Sequence, residues 1–368
     1  MQLTLERDSL PATEITDRTP ASEIRVHEGR LLFDQIDRLG DYAARRGSLP
    51  LSRHPRWLAV LRDGLCHTPY CLEAVTDGET RGFLALAHVR GALFGRFLVS
   101  LPYLNYGGPV ADDEQTARRL IDRAVVLARR LDVRHLELRD ERTIVHEAIT
   151  ETRTDKVHMR LELPATAGRL WDRLASKVRN QVRKGQKSDL AVAWGGESLL
   201  PEFYDVFSRN MRDLGTPVYG CGLFRSVLRH FPNQAELCVV RAGRDAVAAA
   251  LLLHGPEVTE VPSASALRSH NHTCANMLMY WRLLERAVER GQAVFDFGRS
   301  SAESNTYRFK KQWGAEPFAA VWQYHVRRGS PGEMRPDNPR HQRRIHIWQR
   351  LPVWLTRLIG PPIIRGIP

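Results

Sequence analysis

Residues 293–324 hold the densest group of side chains that could take part in chemistry. The run AVFDFGRSSAESNTYRFKKQWGAEPFAAVWQY predicts a strand at 294–297, a short helical segment at 307–313 and a second strand at 318–324. The polar segment after the first strand offers more hydrogen-bonding groups than a simple connection requires. These groups are Asp296, Arg299, Ser300, Ser301, Ser304 and Asn305. We therefore expect a functional site in this stretch.

Two runs in this stretch, FDFGRSS and YRFKKQWGA, resemble the C-terminal signature of FemAB-like proteins. The resemblance is strongest to the branch associated with exosortase/PEP-CTERM exopolysaccharide loci, and it covers roughly residues 24–324. It implies an α/β (α+β) fold with two tandem GNAT-like acyl-N-acyltransferase domains. Each domain would be a mixed, mainly antiparallel sheet flanked by helices.

The same resemblance implies an acyltransferase that acts on an amine of a cell-envelope or exopolysaccharide precursor. The best-known relatives transfer amino acids from charged tRNA onto a peptidoglycan precursor, so the first hypothesis is an aminoacyltransferase. An acyl-CoA-dependent N-acyltransferase is the second hypothesis. A third, from another class, is a non-catalytic scaffold in exopolysaccharide assembly.

Acyl transfer to an amine requires removal of a proton, stabilisation of charge on the carbonyl oxygen, and positioning of donor and acceptor. Within the resemblance, Lys310 falls on the lysine of the FK motif, a cation that would meet a phosphate or the developing oxyanion. Tyr307, Arg308 and Lys311 are expected to assist by binding substrate.

Asp296 is the candidate for the proton-handling role. Strand alternation places its side chain on the face opposite Phe295 and Phe297. It could orient the amine or accept its proton, with Arg299 binding substrate, or it could hold Arg299 in a buried ion pair. No Ser/His/Asp triad or cysteine nucleophile can be recognised in the sequence. The resemblance implies direct transfer without a covalent enzyme intermediate.

The segment before this stretch predicts a strand at 258–267, a loop at 268–274 and a helix at 275–290. In acetyl-CoA-dependent GNAT enzymes the loop contains glycines whose amides cradle a pyrophosphate. Here it is RSHNHTC, without glycine, which favours charged tRNA over acyl-CoA as donor. Asn276 and Tyr280 share a helix face within the NxLxYW pattern of the resemblance, and they either position substrate or, for Tyr280, pack in the core.

A basic helix is predicted at residues 168–186, with an apolar stripe at four-residue intervals. The resemblance places this helix between the two domains, where Arg183 and Lys184 would meet an anionic substrate. A solvated face of mixed use is the alternative. Its basic side chains are Arg169, Arg173, Lys177, Arg179, Arg183, Lys184 and Lys187.

The formal net charge of +12 and a pI near 9.9 favour an anionic partner: tRNA, a nucleotide- or lipid-linked precursor, or CoA. Five scattered cysteines lack the spacing of a zinc site, so no metal is expected and a reduced cytoplasmic protein is predicted. No tightly bound cofactor is expected either. The donor, aminoacyl-tRNA or acyl-CoA, would be a co-substrate.

The chain divides, by pattern, into four segments. We predict a flexible leader at 1–23, a first GNAT-like domain at 24–165, a second at 166–329 that contains the FDFG/FK signature, and a proline-rich linker with a basic amphipathic tail at 330–368. Hairpins are predicted at 70–75 with 81–89 and at 236–242 with 246–254, the first across Asp77-Gly78.

The tail contains six arginines and no acid from residue 340 onward, interleaved with tryptophan, isoleucine and leucine. Such a segment can lie at the surface of an anionic membrane, which would place the protein peripherally at the inner face of the plasma membrane. The alternative is that the tail packs along its own domain.

Overall fold

The computed structural model describes residues 22–47, 49–331 and 342–367. The leader predicted at residues 1–23 lies outside these ranges except for its last two residues, which begin the first strand. Most of the linker predicted after residue 329 also lies outside them.

The first half of the chain forms a mainly antiparallel sheet, in which one pair of strands is parallel, with helices on both faces. Asp77 and Gly78 both have positive φ, 52° and 81°, and close the predicted hairpin in the conformation that a two-residue turn requires. The elements are β1 (Ser22–Glu28), α1 (Gly29–Phe33), α2 (Ile36–Arg45), α3 (Trp57–Leu65), β2 (Thr68–Thr76), β3 (Glu79–Gly91), β4 (Gly95–Val99), β5 (Val110–Ala111), α4 (Glu114–Arg130), β6 (His135–Asp140) and β7 (Glu151–Glu162).

The second half repeats this order from its first strand to its last, as the sequence predicted, with extra helices before its first strand, before its last strand and at the C-terminal end. The elements are α5 (Ala167–Arg173), α6 (Ser176–Lys187), β8 (Leu190–Gly195), α7 (Leu200–Leu214), α8 (Cys221–His230), β9 (Ala235–Ala242), β10 (Asp245–His254), β11 (Val258–Ala266), α9 (Ala275–Glu289), β12 (Val294–Ser301), α10 (Asn305–Lys311), β13 (Glu316–Val326), α11 (Gln342–Arg350) and α12 (Val353–Ile364).

The two halves share one continuous sheet because their last strands are exchanged. The strand order is β1-β2-β3-β4-β6-β13-β7-β12-β11-β10-β9-β8, with β5 paired to β3. Thus β7, from the first half, pairs with β12, and β13, from the second half, pairs with β6. The exchanged strands also pair with each other, so the junction of the halves is covered by hydrogen bonds and exposes no strand edge.

The predicted helix at 168–186 is in fact two helices. Leu174 lies between them in an extended conformation, with φ −69° and ψ 139°. Four-residue spacing overshoots each helical turn by about 40°, so a straight helix would turn Val182 well away from Leu170. The break between the two helices changes the direction of the second helix, so that its apolar residues face the same core as those of the first. All four residues of the stripe, Leu170, Leu174, Val178 and Val182, are buried in the core beneath α9.

The C-terminal helices α11 and α12 pack against α7, which corresponds to one of the two alternatives for the tail. Gly360 allows close contact with Val218, and Arg357 donates to the Ser208 hydroxyl at 2.8 Å. The other face of these helices leaves Ile347, Trp354 and Leu358 exposed. None of the helices within the described ranges is long and apolar enough to cross a bilayer.

Exchange of the last strands predicts that the halves unfold together, because loss of either half removes a strand from the other. Phe203→Ala, in the core beneath α7, and Phe295→Ala, in the core beneath α9, should each cost about 3–5 kcal/mol and move the same single transition in urea. Val126→Ala, at an exposed site, is the control. Two separate transitions, each shifted by only one variant, would contradict this account.

Candidate functional site

The parallel strands β11 and β12 separate partway along their length and form a fork. They pair only at three positions, where 258–260 lie opposite 294–296. Beyond Asp296 a bulge at Gly298, with φ 75°, shifts the register of β12 against β7, while β11 continues beside β10. The backbones of two strands thus diverge at the position where Glu260 and Asp296 stand side by side.

A cavity of about 40 Å³ lies at this fork and is lined by both halves of the chain. The lining residues are Ser52, Tyr103, Leu104, Asn105, Leu253, Glu260, Val261, Pro262, Asp296 and Gly298. A larger open depression of about 410 Å³ lies near β8 at the far edge of the sheet, and its lining includes none of these residues. The candidate reactive side chains therefore lie at the fork and not in the larger depression.

Cross-strand pairing places a set of polar side chains on one face of the five central strands. Asp296 lies opposite Arg160, Arg299 opposite His158, and Arg139 opposite Trp322. Phe295 and Phe297 point to the other face, into the core with α9. We call this set the central polar layer, and it consists of Glu137, Arg139, His158, Arg160, Glu260, Asp296, Arg299 and Trp322.

Asp296 is only 1% exposed and accepts three hydrogen bonds. The donors are the Tyr106 hydroxyl, the Gly298 amide at 2.6 Å and Arg160 Nε at 3.3 Å. These bonds fix the carboxylate in one orientation. The buried ion pair considered for Asp296 does form, but its partner is Arg160 and not Arg299.

Tyr106 and Arg160 connect Asp296 to the first half. Arg160 Nη2 donates to the Tyr106 oxygen at 2.7 Å and to Glu141 at 2.6 Å. Burial and the neighbouring Asp296 raise the pKa of Tyr106 far above its usual value. Its hydroxyl therefore stays protonated and remains a hydrogen-bond donor. His158 stacks on Tyr106 at 4.2 Å, and burial followed by the charge of Arg160 lowers its pKa to about 3. His158 is therefore a neutral packing surface.

Glu260 is the second carboxyl group of the fork and was not singled out from the sequence. It accepts hydrogen bonds from the Ser52 amide at 2.9 Å and the Ser52 hydroxyl at 2.6 Å. Burial, with a further contribution from Asp296, raises its pKa to about 7. A carboxyl group that titrates near neutral pH is suited to accept a proton from an amine. Its signal in the sequence is a lone acid within the strand-like run VTEVP.

Lys310 is held at the fork by the backbone of β12. Its Nζ donates to the carbonyl oxygens of Gly298 at 3.0 Å and Arg299 at 3.1 Å. Burial lowers its pKa to about 8, although Asp296 acts in the opposite direction. A lysine ammonium has three protons. None of the described residues accepts the third one, which leaves it available for a ligand oxygen.

The other predicted site residues lie in different surroundings. Tyr280 packs in the core against Phe297, Phe309 and Trp313, whereas Asn276 is half-buried in the first turn of α9. Tyr307 is half-buried on α10, and its ring lies 5.8 Å from Lys311 Nζ. Four predicted cations sit away from the cavity, all of them exposed, and their roles stay predictions. They are Arg308 and Lys311 on α10, and Arg183 and Lys184 on α6.

The loop predicted at residues 268–274 is more ordered than expected, because it forms a 3-10 turn. The His270 amide donates to the Leu267 carbonyl at 3.0 Å, and the Cys274 amide to the Asn271 carbonyl at 3.2 Å. Cys274 takes the left-handed conformation, with φ 58°, that glycine would adopt more easily. Amides bonded within the turn are not free to bind a pyrophosphate.

Comparison with known proteins identifies the fold. Residues 172–311 match the family model described as "Acetyltransferase (GNAT) domain". No curated protein matches the chain by sequence. The crystal structure of FemX is 12% identical, with 83% of this chain and 97% of that chain covered and a TM-score of 0.58.

Two further solved structures extend this likeness. One is the C-terminal domain of a putative lysylphosphatidylglycerol synthetase from Agrobacterium fabrum, 12% identical, covering 80% of this chain and 93% of that chain, with a TM-score of 0.54. The other is a tandem GNAT protein from the clavulanic acid biosynthesis pathway, 11% identical, covering 82% and 98%, with a TM-score of 0.51. The predicted GNAT-like fold is confirmed, and the match to the family model supports an acyltransferase.

The raised pKa of Glu260 predicts a pH-dependent effect of Glu260→Gln. Between its ordinary value of 4.5 and about 7, the folded protein binds more protons at this site than the unfolded chain, so the contribution of Glu260 to stability falls as pH rises. Relative to the wild type, the free energy of unfolding of Glu260→Gln should therefore increase from pH 5 to pH 8, by roughly 2–3 kcal/mol.

Denaturant unfolding at several pH values measures this difference. Glu147→Gln, at an exposed position, is the matched control and should show no such trend. A constant difference between Glu260→Gln and the wild type from pH 5 to pH 8 would show that Glu260 does not titrate in this range.

Proposed function

We propose that this protein transfers an acyl group to an amine at the fork between β11 and β12. The observation that supports this most directly is the arrangement of three groups there. Glu260 and Asp296 lie side by side in paired strands, and Lys310 is fixed on the bulge that follows Asp296. A proton acceptor, an orienting carboxylate and a cation are what acyl transfer to an amine requires.

In the proposed reaction the amine nitrogen attacks the carbonyl carbon of the donor. The new C–N bond forms, the proton of the amine passes to Glu260, and the bond from the carbonyl carbon to the donor's oxygen or sulfur breaks. Asp296 orients the amine through a hydrogen bond. The free proton of Lys310 stabilises either the oxyanion or the departing group, and the proton held by Glu260 leaves with the donor or to solvent.

Direct transfer fits the surroundings of the fork. The Ser52 hydroxyl already donates to Glu260, and the Tyr106 hydroxyl already donates to Asp296. The described part of the chain offers no cysteine in the cavity lining that could form a covalent intermediate. The acyl group would therefore pass from donor to amine in one encounter.

Charged tRNA is the donor that we favour. Helix α6 contains no acid and exposes Lys177, Arg183, Lys184 and Lys187. Gly185 packs this helix against Cys274, at the start of α9, and in this proposal a donor that contacts these cations enters the fork from the side of α6 and α9. A polyanion gains from several phosphate contacts at once. Acyl-CoA is the second candidate, because residues 172–311 match an acetyltransferase family model.

The acceptor that we propose is an amine of a cell-envelope or exopolysaccharide precursor, as for a FemAB-like protein of the exosortase/PEP-CTERM-associated branch. A lipid-linked precursor would bring the reaction to the inner face of the plasma membrane. The tail supports such a location, because the exposed Ile347, Trp354 and Leu358 lie on the helices that also expose three arginines. These are Arg343, Arg344 and Arg350. Apolar side chains beside cations suit an anionic bilayer surface.

Removal of the Lys310 ammonium should slow transfer strongly. Lys310→Ala is expected to lower kcat by about 10²–10³, the effect of removing one preorganised donor to an oxyanion. Transfer should be measured with charged tRNA and with acyl-CoA in parallel, on protein shown by circular dichroism to be folded. Arg244→Ala, at an exposed turn, is the control. Unchanged turnover in Lys310→Ala would refute this site, and transfer from acyl-CoA alone would replace the tRNA donor.

The membrane proposal predicts that flotation with anionic vesicles depends on the exposed apolar face of the tail. Trp354→Glu with Leu358→Glu should reduce flotation at least tenfold, because two apolar contacts are lost and two negative charges are added. Leu31→Glu with Val145→Glu, which alters exposed apolar residues elsewhere, is the control. Equal loss in both double variants, or no loss in either, would be inconsistent with docking through the tail.

A further inference from the structure

The guanidinium of Arg299 lacks the anionic partner that the other arginines around the fork have. Its Cζ lies 3.7 Å from the centroid of the Trp322 ring, which is its contact in the central polar layer. Within residues 22–47, 49–331 and 342–367, no carboxylate forms an ion pair or hydrogen bond with it. Burial and the nearby charge of Arg139 lower its pKa to about 10, although the charges of Glu137 and Asp155 act in the opposite direction. The side chain is half-buried rather than sealed from solvent.

The neighbouring arginines provide the comparison. Arg139 contacts the same indole, at 4.1 Å, but its Nε donates to Glu137 at 2.6 Å. Arg160 pairs with Glu141 and Asp296, and Arg53 pairs with Asp140 at 2.7 Å. Each of these charges is balanced within the protein. Arg299 lies in the same layer but forms no direct ion pair with a described carboxylate, and the charges of Glu137 and Asp155 act on it only from a distance.

Such a charge has a physical cost. A cation that is partly removed from water loses hydration free energy. Its interaction with an aromatic ring offsets only about 0.5–2 kcal/mol of that loss. The indole Nε1–H of Trp322 is also buried and without an acceptor. The Arg299 N–H groups have no carboxylate acceptor in the described part of the chain, and an oxyanion supplied from outside would give them one. Arginine presents a planar pair of N–H groups that matches carboxylate and phosphate oxygens.

The position of Arg299 indicates which substrate would bring that anion. Its side chain lies on the face of Asp296, Arg160 and His158. Helices α6 and α9, on which the donor would lie, cover the opposite face, with Phe295 and Phe297. The Arg299 carbonyl also accepts a hydrogen bond from Lys310, so this residue adjoins the reacting centre.

We propose that Arg299 and Trp322 form a subsite for a carboxylate or phosphate group of the acyl acceptor. The acceptor is then an amine that carries an oxyanion, and this inference rests on the proposed acyl transfer at the fork. Arg299 takes the oxyanion in a bidentate contact, the Trp322 ring holds the guanidinium in position, and the amine is directed towards Glu260 and Asp296.

Matched acceptors test this subsite. Transfer is measured to glycine against glycinamide and to phosphoethanolamine against ethanolamine, so that each pair differs in the anion. The wild type should prefer the anionic member of one pair by at least tenfold in kcat/KM, and that pair identifies carboxylate or phosphate. In Arg299→Gln this ratio should fall towards one, and Arg299→Lys, which keeps the charge but not the planar fork, should be intermediate. Arg244→Gln is the control.

A binding measurement separates this inference from the proposed function. Titration of the four compounds, followed by the shift in Tm of the full chain, requires no turnover. Stabilisation by the anionic member that is lost in Arg299→Gln supports the subsite even if no acyl transfer is found, in which case the proposed function fails alone. Equal stabilisation by anionic and neutral members in the wild type, or an anion effect that persists in Arg299→Gln, would overturn the subsite.

Discussion

The buried carboxylate of Asp296 is the group on which the central polar layer depends. A carboxylate that is 1% exposed is stable only if hydrogen bonds and opposite charge replace the water that it has lost. Tyr106 and Arg160, from the first half, and the Gly298 amide, from the second, supply them. After burial, the charge of Asp296 is the next cause of the raised pKa of Glu260, and it opposes the lowering of the pKa of Lys310 by burial. The carboxylate of Asp296 thus acts on both of the other reactive groups of the fork.

The exchange of β7 and β13 makes that compensation possible. Arg160 lies on β7, which belongs to the first half of the chain but pairs with the strand that contains Asp296. The polar groups of both halves therefore meet within one sheet instead of across a mobile domain boundary. A site built on paired strands keeps its geometry more closely than one built on loops. The bulge at Gly298 then opens the backbone where a donor and an acceptor could meet.

The sequence predicted local structure better than the site. Asp77-Gly78 specified its hairpin, and most helices and strands follow from periodicity, because these depend on neighbouring residues. The family resemblance identified Asp296 and Lys310 as candidate site residues, and both lie at the fork in the structure. Tyr106 and Arg160 were missed because their roles arise from contacts 190 and 136 residues away. The break at Leu174 was also missed, since it depends on how the stripe meets α9.

Hydrogen exchange, measured by mass spectrometry on the full chain with saturating charged tRNA or acyl-CoA, tests most directly whether ligands bind at the fork. If acyl transfer takes place at the fork, one of these donors should slow exchange at residues 258–263 and 294–300, where β11 and β12 separate. Protection that spares both segments, or that appears only around residues 195–196 and 232–236 at the far edge of the sheet, would contradict transfer at the fork.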